Sequence, residues 1–82
     1  MFNPHEFFAQ FKKDLFINIY DDTKQVSVSG WQFLVNDVFK KLREEHNVNP
    51  KWERCSDYLD PYARFTVGDY EIFCTGWARL NC

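Results

Sequence analysis

Cys55 and His46 are the thiol and imidazole best placed in the chain to suggest a nucleophile with its base. A thiol attacks as the thiolate, and a neighbouring imidazole is what generates it. Carboxylate pairs are the other conceivable machinery, drawn from Asp57 and Asp60 or from Asp21 and Asp22. Acid–base work needs two such groups held in different environments. Neither set comes with a supporting motif. No serine stands in a Gly-x-Ser-x-Gly elbow, and no glycine-rich phosphate loop occurs. Asp-rich turns are ordinary turn chemistry, and a half-buried thiol near a helix-end imidazole accounts for Cys55 and His46. His5 and His46 have no Cys or His at ligand spacing, and no Cys-x-x-Cys occurs, so neither a metal nor a cofactor is expected. No catalytic residue is assigned, and the chain reads as a non-enzyme.

Its abundant chemistry is aromatic. Nine Phe, four Tyr and three Trp among 82 residues exceed what so small an interior can enclose. Rings left at a polar surface, together with Arg, are the material of binding hot spots. Residues 52–62 interleave rings with both signs of charge, so Trp52, Arg54, Asp57, Tyr58, Asp60 and Tyr62 are the expected partner-binding set. Tyr58 and Tyr62 suit a wet edge best, because a phenol tolerates water. A secondary acidic and aromatic surface is expected from Asp21, Asp22, Asp69, Glu71 and Phe73. Trp77 and Arg79 could line an edge strand, which could also pair two copies of the chain.

The competing reading is a small nucleic-acid-binding domain. Phe16, Tyr20 or Phe73 could stack bases, and Lys12, Lys13, Lys40, Lys41 and Arg43 could form a basic edge. Against it, the formal charge is −2 and the pI is near 5.6, whereas phosphate-binding domains show a basic excess. Glu44, Glu45, Asp21 and Asp22 also lie close in sequence to those lysines. A protein partner is therefore preferred, possibly one that itself binds nucleic acid.

The elements that must position these residues follow from capping and periodicity. Asn3-Pro4-His5-Glu6 starts a helix, and Phe7, Phe8, Phe11 and Leu15 give it one apolar face over about residues 4–14. Alternation from Leu15 to Tyr20 and from Gln25 to Ser29, around Asp21-Asp22-Thr23-Lys24, predicts a hairpin. Its inner face is Ile17, Ile19, Val26 and Val28. Ser29-Gly30-Trp31-Gln32 reads as a capping box for a second helix over about 30–46, with Trp31, Leu34, Val35, Val38, Phe39 and Leu42 at helical spacing. Asn47 and Asn49-Pro50 end it. Residues 47–62 are irregular, with Ser56-Asp57 able to cap a single turn. Residues 62–75 form a second hairpin around Gly68-Asp69, with Val67, Phe65 and Ala63 opposite Tyr70, Ile72 and Cys74. Gly76 marks a bulge, beyond which the strand extends toward Leu80.

The order α-β-β-α-(irregular)-β-β predicts an α+β fold. Residues 1–82 form one compact domain, built as a four-stranded antiparallel sheet with both helices on one face. The apolar content of 45% and charged content of 27% are those of a globular protein. Three cysteines without close pairing fit free thiols in a cytoplasmic setting. No membrane span and no secretory leader is expected.

In size, acidity, aromatic richness and lack of catalytic apparatus the chain resembles small inhibitors made by phages and mobile elements, such as anti-CRISPR proteins, and bacteriocin immunity proteins. The resemblance implies a binding module that inhibits or modulates a larger partner by occupying its functional surface, often a nucleic-acid-binding one.

Overall fold

A computed structural model describes residues 2–53 and 61–77. The elements are α1 (Pro4–Phe8), a 3₁₀ turn (Ala9–Phe11), β1 (Phe16–Tyr20), β2 (Gln25–Trp31), α2 (Gln32–His46), β3 (Tyr62–Val67) and β4 (Tyr70–Trp77). The class is α+β, as the order of elements predicts. None of the described helices is long and apolar enough to cross a membrane.

The first helix is shorter than the periodicity suggests. Its start is as expected: the Asn3 side chain accepts from the Glu6 N–H at 3.2 Å, with Pro4 in the first turn. After Phe8 the chain tightens into the 3₁₀ turn, and both Asp14 and Leu15 donate backbone N–H groups to the Phe11 carbonyl. That turn delivers Leu15, only 5% exposed, to the core.

The second helix begins two residues later than its apparent capping box. Ser29, Gly30 and Trp31 belong to β2, and Trp31 is an N-cap without a side-chain hydrogen bond. The stretch is held as strand because β4 runs alongside it, pairing Ser29 with Thr75, Gly30 with Gly76 and Trp31 with Trp77. This pairing also corrects the sheet. The order is β1-β2-β4-β3, and the central pair β2/β4 is parallel, so the sheet is mixed rather than wholly antiparallel. A parallel pair needs a long crossover, and α2 lies within it. Gly76 continues the ladder in register, so no bulge interrupts it there. Strand β4 is central, which removes Trp77 from an edge. Arg79 lies outside the described residues.

The second hairpin has the expected register, with Val67 opposite Tyr70, Phe65 opposite Ile72 and Ala63 opposite Cys74. Gly68 takes φ +59° in its turn, the left-handed backbone that a tight hairpin demands. Helix α2 ends on Asn47 at φ 54°, whose N–H returns to the Leu42 carbonyl.

One face of the sheet is covered. Phe7 and Phe8 of α1, with Val35, Val38, Phe39 and Leu42 of α2, join Val26, Val28, Ala63, Val67, Tyr70, Ile72 and Cys74 in one buried cluster. Phe8, Leu42 and Ile72 are wholly enclosed, each contributing roughly 1.5–3 kcal/mol of apolar transfer. Both helices therefore lie on the same side, and the other face of the sheet carries neither of the described helices.

Candidate binding surface

Successive residues of a strand point to opposite faces, so the register fixes what the open side displays. One row reads Tyr20, Gln25, Glu71, Thr66. The next reads Asn18, Ser27, Phe73, Arg64, and the third Phe16, Ser29, Thr75, Tyr62. Trp31 and Trp77 close the far end. Phe16 is 66% exposed, Tyr20 50%, and Trp31 and Phe73 43% each. The large apolar side chains exposed among the described residues thus lie on this one face, save Phe33 in the first turn of α2.

The rings are grouped. The Trp77 indole lies 5.7 Å from both Phe16 and Trp31, centroid to centroid, making a cluster across three strands. Tyr62 stacks on Phe73 at 5.8 Å with planes 17° apart. Between Tyr20 and Phe73 the small side chain of Ser27 leaves a shallow hollow of about 270 Å³, bounded by Gln25, Arg64 and Glu71. The charged groups among the described residues of this face are Arg64 and Glu71, and they neutralise each other at 3.1 Å. Lys40, Lys41 and Arg43 sit on α2, behind the sheet.

The partner-binding set read from the sequence is divided. Arg54, Asp57, Tyr58 and Asp60 lie outside the described residues, as does the Ser56-Asp57 cap. Tyr62 joins the open face through its stack on Phe73. Trp52 turns the other way. Its ring packs 4.8 Å from Phe39, its Nε1 donates to Asn36 Oδ1 at 2.8 Å, and it is half-buried.

The secondary set is divided too. Phe73 and Glu71 stand on the open face. Asp21, Asp22 and Asp69 gather at one end of the sheet, because the parallel β2/β4 pair brings both hairpin turns to the same end. Asp21 is engaged there: Tyr70 Oη donates to its Oδ1 at 2.8 Å, and His5 Nε2 lies 2.9 Å from its carboxylate. These bonds, that from Tyr70 first, hold the Asp21 carboxyl below the usual carboxylate range, and the same bond pushes the Tyr70 phenol up. Lys24 Nζ sits 5.1 Å from the Tyr70 ring centre. A larger hollow of about 410 Å³ opens at this end, lined by Phe2, Asn3, Pro4, His5, Lys24, Asp69 and Tyr70. Of its lining groups His5 and Tyr70 are both tied to Asp21, and none of its lining side chains is a Ser, Thr or Cys nucleophile. Its size does not make it the better candidate.

The aromatic face was legible only in part. Phe16, Tyr20 and Phe73 stand out as outward rings of alternating strands. Trp31 does not, because helical spacing assigns it to the covered side of α2. His46 packs edge-on against Phe2 at 5.0 Å, and Cys55 lies outside the described residues. The described residues hold no group of three His, Cys, Asp or Glu that could bind a metal. Comparison with protein-family models, curated proteins and solved structures finds no match to this chain.

Proposed function

We propose that this protein is a non-enzymatic binding module that holds a larger protein against the open face of its sheet, as an inhibitor or modulator. The observation that carries the reading is the placement of Phe16, Tyr20, Trp31, Tyr62, Phe73 and Trp77 on the face opposite both described helices. Grouped rings on a rigid sheet, with a small hollow to receive an anchor, have the make-up of a hot-spot patch. The self-neutralised Arg64–Glu71 pair supports an apolar protein surface as the occupant. Nucleic acid would need cations beside the rings, whereas the α2 lysines lie on the opposite side of the sheet. The buried free thiol of Cys74 is in keeping with a cytoplasmic setting. Small phage inhibitors and immunity proteins are the functional type intended.

The test compares the immobilised wild-type chain with a Phe16→Ser/Phe73→Ser variant in the same host lysate, after both are shown to be folded at the assay temperature. The expected result is a protein captured by the wild type and lost by the variant, with binding weakened by at least about 2 kcal/mol. Undiminished capture by the variant would overturn the reading, as would tight, salt-sensitive retention of the wild type on heparin.

A further inference from the structure

We propose that the free edge of β1 pairs with β1 of a second copy of this chain, antiparallel and about a two-fold axis at Asn18. Strand β1 is one margin of the sheet, bonded to β2 on its inner side. Among the described residues no backbone hydrogen bond reaches it from outside. The opposite margin is guarded. At β3 the Tyr62 carbonyl takes the Glu53 N–H at 2.7 Å, Pro61 precedes the strand, and Arg64 within it bears charge. Proteins ordinarily blunt a free edge with Lys, Pro, a bulge or an inward charge. The five residues of β1, Phe-Ile-Asn-Ile-Tyr, contain none of these.

Their order names the occupant. An isologous contact requires that residue i meet residue j while j meets i. Read about Asn18, the strand is symmetric: aromatic, Ile, Asn, Ile, aromatic. Pairing in that register sets Phe16 of one copy opposite Tyr20 of the other, Ile17 opposite Ile19, and Asn18 opposite itself. Aromatic cross-strand pairs stabilise a sheet, and the two central amides can bond to each other. Phe16, Asn18 and Tyr20 are exposed, so nothing must move first. A slip by one residue would put each aromatic face on the wrong side of the joint sheet. Asp14 and Asp22 flank the strand and face each other across the copies, which confines the ladder to its five uncharged residues. Five residues bury less than the ~1,200–2,000 Å² of a tight complex. The dimer is therefore weak, with a dissociation constant on the order of tens of micromolar. It joins the two aromatic faces into one eight-stranded surface, and it stands whether or not a different protein binds there.

Sedimentation equilibrium of the wild type from about 10 µM to about 1 mM should show a monomer passing to a dimer across that range. Asn18→Lys sets two cations against each other at the axis and should weaken dimerisation at least tenfold. Its melting curve at low concentration should not change, since Asn18 is exposed and an edge Lys is well tolerated. Register is read by Asn18→Cys in a Cys55→Ser/Cys82→Ser background. Residues opposed in an antiparallel pair sit ~4.5–5.5 Å apart at Cα, within disulfide reach. Oxidation should yield a covalent dimer from this variant and none from Ser27→Cys, which lies about three strand spacings, ~14 Å, from its counterpart. A wild type that stays monomeric to about 1 mM would overturn the proposal. So would a dimer that survives Asn18→Lys but is lost in Phe73→Ser, which would show the copies meeting face to face.

Discussion

The Tyr70 hydroxyl donates to the Asp21 carboxylate across 2.8 Å, tying the first residue of β4 to the turn after β1. The carboxyl is held below its ordinary range, so its contribution is present above that range and lost as pH falls through the folded value. The phenol is pushed up, so its contribution is whole below the ordinary phenol value and lost as pH rises through the folded one. Tyr70→Phe should flatten both limbs of the stability curve. Urea midpoints taken across the pH scale should differ most between wild type and variant at neutral pH and converge toward strong acid. Parallel curves would show that this bond carries no linkage.

Burial pushes the Cys74 thiol up to about 12. At pH 8 it is a neutral, enclosed group, and only the thiolate reacts. In a Cys55→Ser/Cys82→Ser background a thiol reagent should leave the native protein untouched and label it fully in urea. Labelling of the native form at the free-thiol rate would mean that the β4 core opens. Cys74→Ser should cost about 1–3 kcal/mol, because the hydroxyl enters a pocket of hydrocarbon.

Gly76 is a place where the core has no room for a side chain. A Cβ there would lie 2.6 Å from the Trp52 ring and 3.2 Å from Gln32 Cα. The indole is pinned by Phe39 and by its bond to Asn36, so it must tilt or leave. Gly76→Ala should destabilise by roughly 1–3 kcal/mol, the usual cost of overpacking. Trp52 emission should shift to the red as the ring gains water, and Trp52→Phe should relieve part of the loss.

Ile72 and Phe73 are neighbours that face opposite ways. Ile72 is enclosed and Phe73 is 43% exposed. Ile72→Ala should cost about 2–5 kcal/mol. Phe73→Ser forfeits chiefly its stack on Tyr62, about 0.5–1.5 kcal/mol. Denaturant unfolding of the two variants checks the assignment of faces. Equal losses would contradict it.

These contrasts show how far local pattern reaches. The second hairpin was readable down to its pairs, because Gly68-Asp69 fixes the turn and the turn fixes the register. The end of β2 was not. Ser29 and Gln32 satisfy a capping pattern that is purely local, and the partner that holds 29–31 as strand is β4, over forty positions away. The same distance hides the parallel central pair. For this reason helical spacing puts Trp31 in the wrong layer, and the cluster it forms with Trp77 and Phe16 goes unseen. Trp52 sits among charges in sequence, so nothing nearby announces that Gly76 leaves room for its ring.

The central ladder also sets the order in which the molecule can form. Each hairpin closes through short loops, whereas β2 meets β4 only after a long and entropically slow search. Until then both future central strands are bare margins rich in Val, Ile and aromatic residues, the kind of surface on which chains cross-pair. This small protein should accordingly refold cleanly when dilute and lose yield to aggregation when concentrated.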